Sequence, residues 1–145
     1  MAIQSFFSLM RKSNGVYEKY CQKVTRDWGL NTTAFQVIMF FANNPEFNTA
    51  RDLCQYRGMK TGIASVAIEQ LTQAGLLERR TDPKDRRIQR LYLTEKSDTL
   101  VEEGRAIQLR FFNQLKSGLT EEEFETYLRL TMKLRHTIDE MDKSL

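Results

Sequence analysis

The sequence predicts a mainly α-helical chain that carries one small β-hairpin. Apolar residues recur at three- and four-residue steps through most of its length, which is the spacing of one helix face. Between Leu76 and Thr94 this period changes to the two-residue alternation of strands on either side of a turn sequence. With 145 residues, 41% of them apolar and 28% charged, the composition is that of a soluble globular protein, so we expect one domain over residues 1–145.

A long helix is predicted over residues 1–28, with Gly29 at its end. Gly15 lowers helix stability by about 1 kcal/mol relative to alanine, so the sequence allows a bend near residues 13–15. The apolar stripe of this helix consists of Ile3, Phe6, Phe7, Met10, Tyr17, Tyr20, Val24 and Trp28.

Three shorter helices follow. Asn31 or Thr32 can cap the first of them, and residues 43–45 (Asn-Asn-Pro) stop it. Thr49 and Asp52 open the second, which runs to about residue 56 before a tight turn around Gly58. The third is predicted from Thr61 to Gln73, with Gly75 as its C-terminal glycine. Helical spacing assigns its buried face to Ala64, Ala67, Ile68 and Leu71.

A hairpin and two long helices complete the chain. The strands are predicted from Leu76 to Thr81 and from Arg87 to Thr94, around the turn sequence Asp-Pro-Lys-Asp at 82–85. The first long helix has its apolar stripe at Leu100, Gly104, Ile107, Phe111 and Leu115, and residues 117–118 (Ser-Gly) close it. A capping-box pattern at 120–123 opens the second, whose stripe is Phe124, Tyr127, Thr131, Leu134, Ile138 and Met141.

The order helix, turn, helix, hairpin over residues 31–94 predicts a winged helix-turn-helix lobe, flanked by the helices of 1–28 and 95–145. In a helix-turn-helix the second helix enters the major groove of DNA. The charge distribution agrees with such a partner. From Arg79 to Arg90 the chain has six basic and two acidic residues, a net charge of +4, whereas the whole chain carries +3. The excess positive charge therefore lies in the hairpin, as is typical of an anion-binding element.

The outer face of the helix that begins at Thr61 supplies the first predicted DNA contacts. Lys60 can neutralise a phosphate beside the free amides of the helix start. Thr61 and Ser65 can hydrogen-bond base edges or phosphates. Ile63 and Val66 offer apolar contacts only, for which the thymine methyl group is the partner in the major groove. Gly62 lies on the same face, and the packing of Ile63 or Val66 into the core stays open as an alternative.

The hairpin supplies the second set. Lys84, Arg86 and Arg87 would form a narrow cationic tip that suits the minor groove, which is only about 6 Å wide. Asp82 and Asp85 would be repelled by DNA, so we expect them to turn inward, cap the hairpin backbone and hold an arginine in place. The predicted contacts of the hairpin are Arg79, Lys84, Asp85, Arg86 and Arg87.

Three groups of residues together resemble the core pattern of MarR-type transcriptional regulators: Leu71-x-x-x-Gly75-Leu76-Leu77-x-Arg79, Asp82-x-x-Asp85-x-Arg87 and Leu91-x-Leu93-Thr94. The order of elements agrees over nearly the whole chain. The resemblance implies an obligate homodimer built by the helices of 1–28 and 95–145. It also implies a palindromic operator in double-stranded DNA, so we expect a sequence-specific repressor, with an activator as the alternative. The sequence departs from the family pattern at Ser97 and in the recognition helix, where Gly62, Ile63 and Val66 replace small-hydroxyl and arginine positions.

The resemblance further implies a small aromatic effector that releases DNA on binding between the dimer helices and the lobe. Its predicted lining is Tyr17, Tyr20, Cys21, Phe35, Met39 and Phe111, although an aromatic stripe at helical spacing is more often simple core. Cys21 and Cys54 are 33 residues apart and lack paired or metal-type spacing, which predicts two reduced thiols. A thiol-based redox-sensing regulator is the alternative.

No enzyme, cofactor or metal site is predicted. His136 is the only histidine, and the sequence has no phosphate-binding glycine loop, no His/Cys metal set and no nucleophile elbow. No apolar run approaches the roughly 20 residues that span a bilayer, and no secretory signal layout is present, so a cytoplasmic protein without a membrane partner is expected. A second hypothesis is a winged-helix protein-interaction module that uses the Ile63/Val66 face and binds DNA weakly or not at all.

Overall fold

The computed structural model describes all residues from Met1 to Leu145 and confirms the predicted fold class, mainly helical with one hairpin. Its elements are α1 Ala2–Asp27, α2 Thr32–Asn43, α3 Ala50–Arg57, α4 Thr61–Gln73, β1 Leu77–Thr81, β2 Gln89–Leu93, α5 Asp98–Lys116 and α6 Glu121–Ser144. A short 3-10 turn, Glu95–Ser97, precedes α5. The chain divides into two compact units, Met1–Gln108 and Leu109–Leu145.

The helix ends of the first unit follow from local chemistry. The Asn31 side chain caps α2 by accepting a hydrogen bond from a first-turn amide at 2.7 Å. Thr49 and Asp52 form a reciprocal capping box at the start of α3. Gly58 and Gly75 follow α3 and α4 with φ of 71° and 73°, a left-handed conformation that suits glycine. These caps fix the tight α3–α4 turn and the exit of the chain from α4 into β1.

Helix α1 is continuous, without the bend that the sequence allowed at Gly15. Of its residues only Cys21 and Val24 are buried, both near its C-terminal end. Its N-terminal half exposes five large apolar side chains, Ile3, Phe6, Phe7, Leu9 and Met10. The C-terminal half of α1 therefore packs on the rest of the first unit, while the N-terminal half presents an apolar face.

The core of the first unit lies between α2, α4 and the hairpin. Its fully buried side chains come from every element around it: Phe35, Val37, Ile38, Leu53, Leu71, Leu77 and Leu100. One position shows how closely α5 approaches α2. A Cβ atom at Gly104 would collide with the Met39 Sδ and lie 3.3 Å from the Phe35 ring. Close packing favours glycine there, since its φ is not positive and its backbone conformation does not require it.

The hairpin is shorter than the sequence predicted. β1 and β2 are antiparallel, with Leu77 opposite Leu93 and Thr81 opposite Gln89. The prediction of a second strand from Arg87 to Thr94 is wrong at both ends, because residues 82–88 form the connecting loop and Thr94 begins the turn to α5. Ile88 therefore lies outside the strand, and its amide donates to the Asp85 carbonyl oxygen.

The second unit contains the end of α5 and the whole of α6. Thr120 and Glu123 form the predicted capping box at the start of α6. Phe124 is buried against Phe112, their ring centroids 5.3 Å apart, and the Lys116 Nζ lies 4.9 Å from the Phe124 ring centroid. Beyond Phe124 the apolar residues of α6 are exposed, among them Leu130, Leu134, Ile138 and Met141. No helix has the combined length and apolar character needed to cross a membrane.

Candidate nucleic-acid interface

The outer face of α4 combines two exposed apolar side chains with short polar ones. The four residues predicted to face the core, Ala64, Ala67, Ile68 and Leu71, are all buried. Ile63 is 50% exposed and Val66 60% exposed, so the alternative in which either packs inward is wrong for this structure. The buried stripe fixes the rotation of α4 and directs Ile63 and Val66 outward.

The start of α4 carries the polar residues predicted for DNA contact. Lys60 precedes the helix with an exposed side chain, and no side chain caps this helix start. Thr61, Gly62 and Ser65 are also exposed. The first-turn amides therefore remain available to an anion, with Lys60 beside them.

The long polar side chains farther along α4 have partners within the protein. The Arg79 Nη2 donates to the Glu69 Oε2 at 2.9 Å, and the Gln73 Nε2 donates to the Glu69 Oε1 at 3.1 Å. The hydrogen bond and charge of Arg79 lower the pKa of Glu69. The Asn31 Nδ2 donates to the Gln70 Oε1 at 3.4 Å. Arg79, predicted as a DNA contact, thus lies at the base of the hairpin and is engaged with α4.

A shallow depression lies between the start of α2 and α4. Its volume is about 250 Å³, and its lining is Asn31, Thr33, Gly62, Ile63, Val66, Ala67 and Gln70. The amide groups of Asn31 and Gln70 lie on its margin, whereas Ile63, Val66 and Ala67 contribute aliphatic surface.

Asp82 organises the loop of residues 82–88, which we call the wing tip. Its Oδ1 accepts hydrogen bonds from the Lys84 and Asp85 amides at 2.8 and 3.1 Å, and its Oδ2 accepts from the Arg90 Nε at 2.6 Å. The hydrogen bond from Arg90 and those from the two amides lower the pKa of Asp82. Asp82 is buried, so the loop is built around an ionised carboxylate.

The same network ties the hairpin to the helix-turn-helix. The Arg90 Nη1 donates to the Asn48 Oδ1 at 2.8 Å, and the Leu91 amide donates to the Asn48 carbonyl oxygen at 2.7 Å. Asn48 belongs to the loop before α3, so one residue holds both the backbone and a side chain of β2. Sequence reasoning missed Asn48, since nothing in its local pattern signals a contact that is 42 residues distant.

The wing tip presents three exposed cations. Lys84 and Arg86 are exposed and form no ion pair, and the Arg87 side chain is 90% exposed. The Asp85 carboxylate accepts from the Arg87 Nε and Nη2 at 3.2 and 3.1 Å, which holds the guanidinium without burying it. Hydrogen bonds from Arg87 lower the pKa of Asp85. Asp85 therefore orients the Arg87 guanidinium.

The other basic residues of the hairpin are engaged by the protein. Arg80 pairs with Glu78 at 3.1 Å, and its guanidinium carbon lies 4.6 Å from the Tyr92 ring centroid. Arg79 and Arg90 pair with Glu69 and Asp82 as described. The positive charge that the sequence places over the whole hairpin is thus free only at its tip.

The residues predicted to line an effector site are divided between the two units. Cys21, Phe35 and Met39 are buried in the first unit, while Tyr17 and Tyr20 are half-buried there. Burial raises the pKa of the Tyr17 hydroxyl and of the Cys21 thiol. Phe111 belongs to the second unit. The binding of an aromatic molecule to these residues stays a prediction.

The cysteines and acidic residues do not assemble a metal centre. Cys21 and Cys54 are both free thiols, and the Cys54 Sγ lies 4.0 Å from the Thr61 Oγ1. No three His, Cys, Asp or Glu residues are grouped so that they could hold a metal ion.

Comparison with known proteins identifies the lobe and the fold. Residues 28–88 match the MarR family. A MarR protein from Peptoclostridium difficile is 20% identical with a TM-score of 0.82, over 95% of this chain and 89% of its own. A MarR family transcription regulator is 23% identical with a TM-score of 0.77, over 99% and 92%. The MepR–DNA complex of S. aureus is 19% identical with a TM-score of 0.59, over 90% and 98%.

Proposed function

We propose that this chain, whose residues 28–88 match the MarR family and whose fold is that of MarR transcription regulators, binds duplex DNA as a transcriptional repressor. The observation that carries the proposal is the exposed cationic wing tip, Lys84, Arg86 and Arg87, on a hairpin that is joined to α4 by the Arg79–Glu69 ion pair. A DNA complex among the structures of the same fold, that of MepR, supports it.

The wing tip and the outer face of α4 would contact different parts of the duplex. The wing tip would enter a minor groove, where phosphates flank a cleft about 6 Å wide. Lys60 and the first-turn amides of α4 would hold a phosphate at the edge of the adjacent major groove, with Thr61, Gly62 and Ser65 close to the bases. Arg79 and Asp85 would act indirectly, since Arg79 is hydrogen-bonded to Glu69 and Asp85 holds the Arg87 guanidinium.

A second copy of the chain would cover the apolar faces at both ends. The first half of α1 exposes Phe6, Phe7 and Met10, and α6 exposes Leu134, Ile138 and Met141. Soluble monomers rarely expose contiguous apolar patches of this kind. We therefore propose a homodimer formed by residues 1–28 and 95–145 around two lobes of residues 31–94. Its two-fold symmetry would match a palindromic operator with half-sites about one helical turn apart.

The experiment that tests the proposal is selection of binding sites from random duplexes, followed by titration of the selected site at several salt concentrations. Replacing Lys84, Arg86 and Arg87 with alanine should reduce the slope of log affinity against log salt by about 2.7 per bound protomer, at roughly 0.9 per lost phosphate contact, and so by about 5.4 for a dimer. The matched control replaces Lys12, Lys19 and Lys133, which are exposed outside the lobe. Equal slopes for both triple variants would contradict the role of the wing tip.

Regulation by a small aromatic effector is part of the proposal. The predicted cluster of lining residues is Tyr17, Tyr20 and Cys21 on α1, Phe35 and Met39 on α2, and Phe111. Because Cys21 and Phe35 are buried in the single chain, an effector would have to open this cluster. Release of the selected duplex by phenolic or benzoate compounds, measured by fluorescence anisotropy, tests this part separately.

As a regulator that acts on the chromosome, the protein would work in the cytoplasm and perform no catalysis. One observation favours a second candidate function. The exposed Ile63 and Val66 would also suit a protein partner, in which case the lobe is an interaction module. A dimer that shifts no duplex at low salt would favour this alternative. Redox sensing has less support, since the Cys21 thiol is buried with a raised pKa.

A further inference from the structure

The exposed outer face of α4 offers apolar chemistry where a DNA-reading helix usually offers long polar side chains. We propose that this face selects duplexes by the 5-methyl groups of thymine, which Ile63 and Val66 contact in the major groove. The inference rests on the proposed DNA binding and specifies which feature of the bases is recognised.

The long polar side chains of α4 already have partners within the protein. Glu69 accepts hydrogen bonds from Arg79 and Gln73, and Gln70 accepts one from Asn31. Recognition of guanine or adenine by two parallel hydrogen bonds requires a free Arg, Lys, Asn or Gln at the base edge. On the outer face of the first two turns of α4 only the short hydroxyls of Thr61 and Ser65 remain.

The two apolar side chains are held ready for contact. Ile63 is 50% exposed and Val66 60% exposed on a helix whose rotation is fixed by its buried opposite face. Both are β-branched, so their side chains lose little rotational freedom on binding. With Ala67 they form the aliphatic part of the depression of about 250 Å³ beside α2.

The chemistry and charge of this face indicate which group binds to it. Among the groups that base pairs present in the major groove, the thymine methyl is the apolar one. The lobe that carries the apolar face also carries exposed cations: Lys60 directly precedes α4, and the hairpin joined to α4 by the Arg79–Glu69 pair has unpaired Lys84 and Arg86 at its tip. These cations complement phosphates, whereas an apolar protein surface would leave them without partners.

Each methyl group should have a modest but measurable effect on the affinity for the duplex. Burial of one methyl group strengthens binding by about four-fold, which is the worth of one buried methylene. A dimer doubles the number of contacted thymines, so the selected duplex should lose about 16-fold in affinity when both symmetry-related methyl groups are removed.

The test replaces single thymines of the selected duplex with deoxyuridine, which removes the methyl group and keeps every hydrogen-bonding group. Dissociation constants of the wild-type protein are measured by fluorescence anisotropy at one salt concentration. We expect at least one thymine per half-site at which deoxyuridine weakens binding by about four-fold. In the Ile63→Ala and Val66→Ala variants this ratio should fall towards one at the contacted position. Lys19→Ala, exposed on α1 outside the lobe, is the control and should leave the ratio unchanged.

Each other outcome overturns the inference in a different way. Tight binding to the selected duplex with equal affinity for thymine and deoxyuridine at every position overturns thymine recognition and leaves DNA binding in place. Full discrimination retained by the Ile63→Ala/Val66→Ala double variant shows that other residues contact the methyl groups. Failure of the wild-type dimer to bind any duplex at low salt overturns both proposals and favours a protein as the occupant of this face. The deoxyuridine series uses wild-type protein, so it does not depend on the folding of a variant.

Discussion

Arg79 on β1 and Glu69 on α4 form an ion pair of 2.9 Å that joins the hairpin to the outer face of α4. Both side chains are about half-exposed, so the pair contributes little to folding stability. Its position matters more than its strength. Glu69 is the one carboxylate of α4, and Arg79 neutralises it on the face where a phosphate backbone would pass.

Removal of this carboxylate should strengthen binding to DNA of any sequence. In Glu69→Gln the amide can still accept a hydrogen bond, while Arg79 is released to contact a phosphate. We expect a higher affinity for nonspecific duplex and an increase of about 0.9 in the salt slope, as for one added phosphate contact. Anisotropy titrations at several salt concentrations measure both. A weaker affinity would show that the pair itself positions the helix.

The wing tip should lose its order in acid as Asp82 takes up a proton. Hydrogen bonds from Arg90 and two backbone amides lower the pKa of Asp82 in the folded protein. Its contribution to stability is therefore fully present above the ordinary carboxyl pKa of about 3.9 and is lost as the pH falls through the lower folded value. We expect the free energy of unfolding to fall less steeply below pH 4 in Asp82→Asn than in wild type. Parallel acid titrations of the two proteins would contradict this assignment.

The Asn48 anchor should affect DNA binding through the position of the wing. In Asn48→Ala the hydrogen bond from Arg90 is lost, whereas the backbone bond from Leu91 to residue 48 can persist. We expect the tip cations to be less well placed, so that affinity for the selected duplex falls while the salt slope stays close to wild type. Asn43→Ala, which removes a side-chain bond to Gln108 on α5, is the matched control. A fall in slope equal to that of the wing-tip triple variant would contradict a positioning role.

Replacing glycine with alanine should have opposite effects on the free energy of unfolding at two helical positions, Gly15 and Gly104. Alanine favours a helix over glycine by about 1 kcal/mol, so Gly15→Ala in α1, with open space around the new Cβ, should raise the free energy of unfolding. Gly104→Ala should lower it by about 1–3 kcal/mol, because the Cβ would collide with the Met39 Sδ. Chemical denaturation measures both. If the clash is the cause, Gly104→Ala should cost less in a Met39→Ala background than in the wild-type protein.

Most of the fold was predictable because its signals are local. Asn31, Thr49 and Gly75 mark helix ends through bonds within a few residues, and the buried stripe of α4 follows from its spacing. The second strand was predicted too long, since the alternation of residues 87–94 does not reveal that Asp82 and Asp85 cap a longer loop. The hydrogen bonds of this loop form only in its folded geometry.

The sequence predicted which residues belong to the candidate site better than it predicted the role of each residue. Counting charges located the hairpin, yet only the structure separates the free Lys84 and Arg86 from Arg79 and Arg90, which are engaged by Glu69 and Asp82. The partners of Arg79 and Arg90 lie on other elements or are placed by the loop, so no sequence spacing reports them. The exposure of Ile63 and Val66 likewise depended on which side of α4 the core occupies.

The two cysteines should differ sharply in reactivity. Burial raises the pKa of the Cys21 thiol, and the attacking species in oxidation is the thiolate, so Cys21 should react slowly with peroxide and with thiol reagents in the native protein. Cys54 is partly exposed next to Thr61, at the start of α4. We expect a thiol reagent to modify one group per chain quickly, and this fast phase to vanish in Cys54→Ser but persist in Cys21→Ser. A bulky group attached to Cys54 would lie beside the helix start and should weaken DNA binding. Fast modification that persists in Cys54→Ser would mean that the cluster around Cys21 opens in solution, which would strengthen the case for an effector or a redox signal acting there.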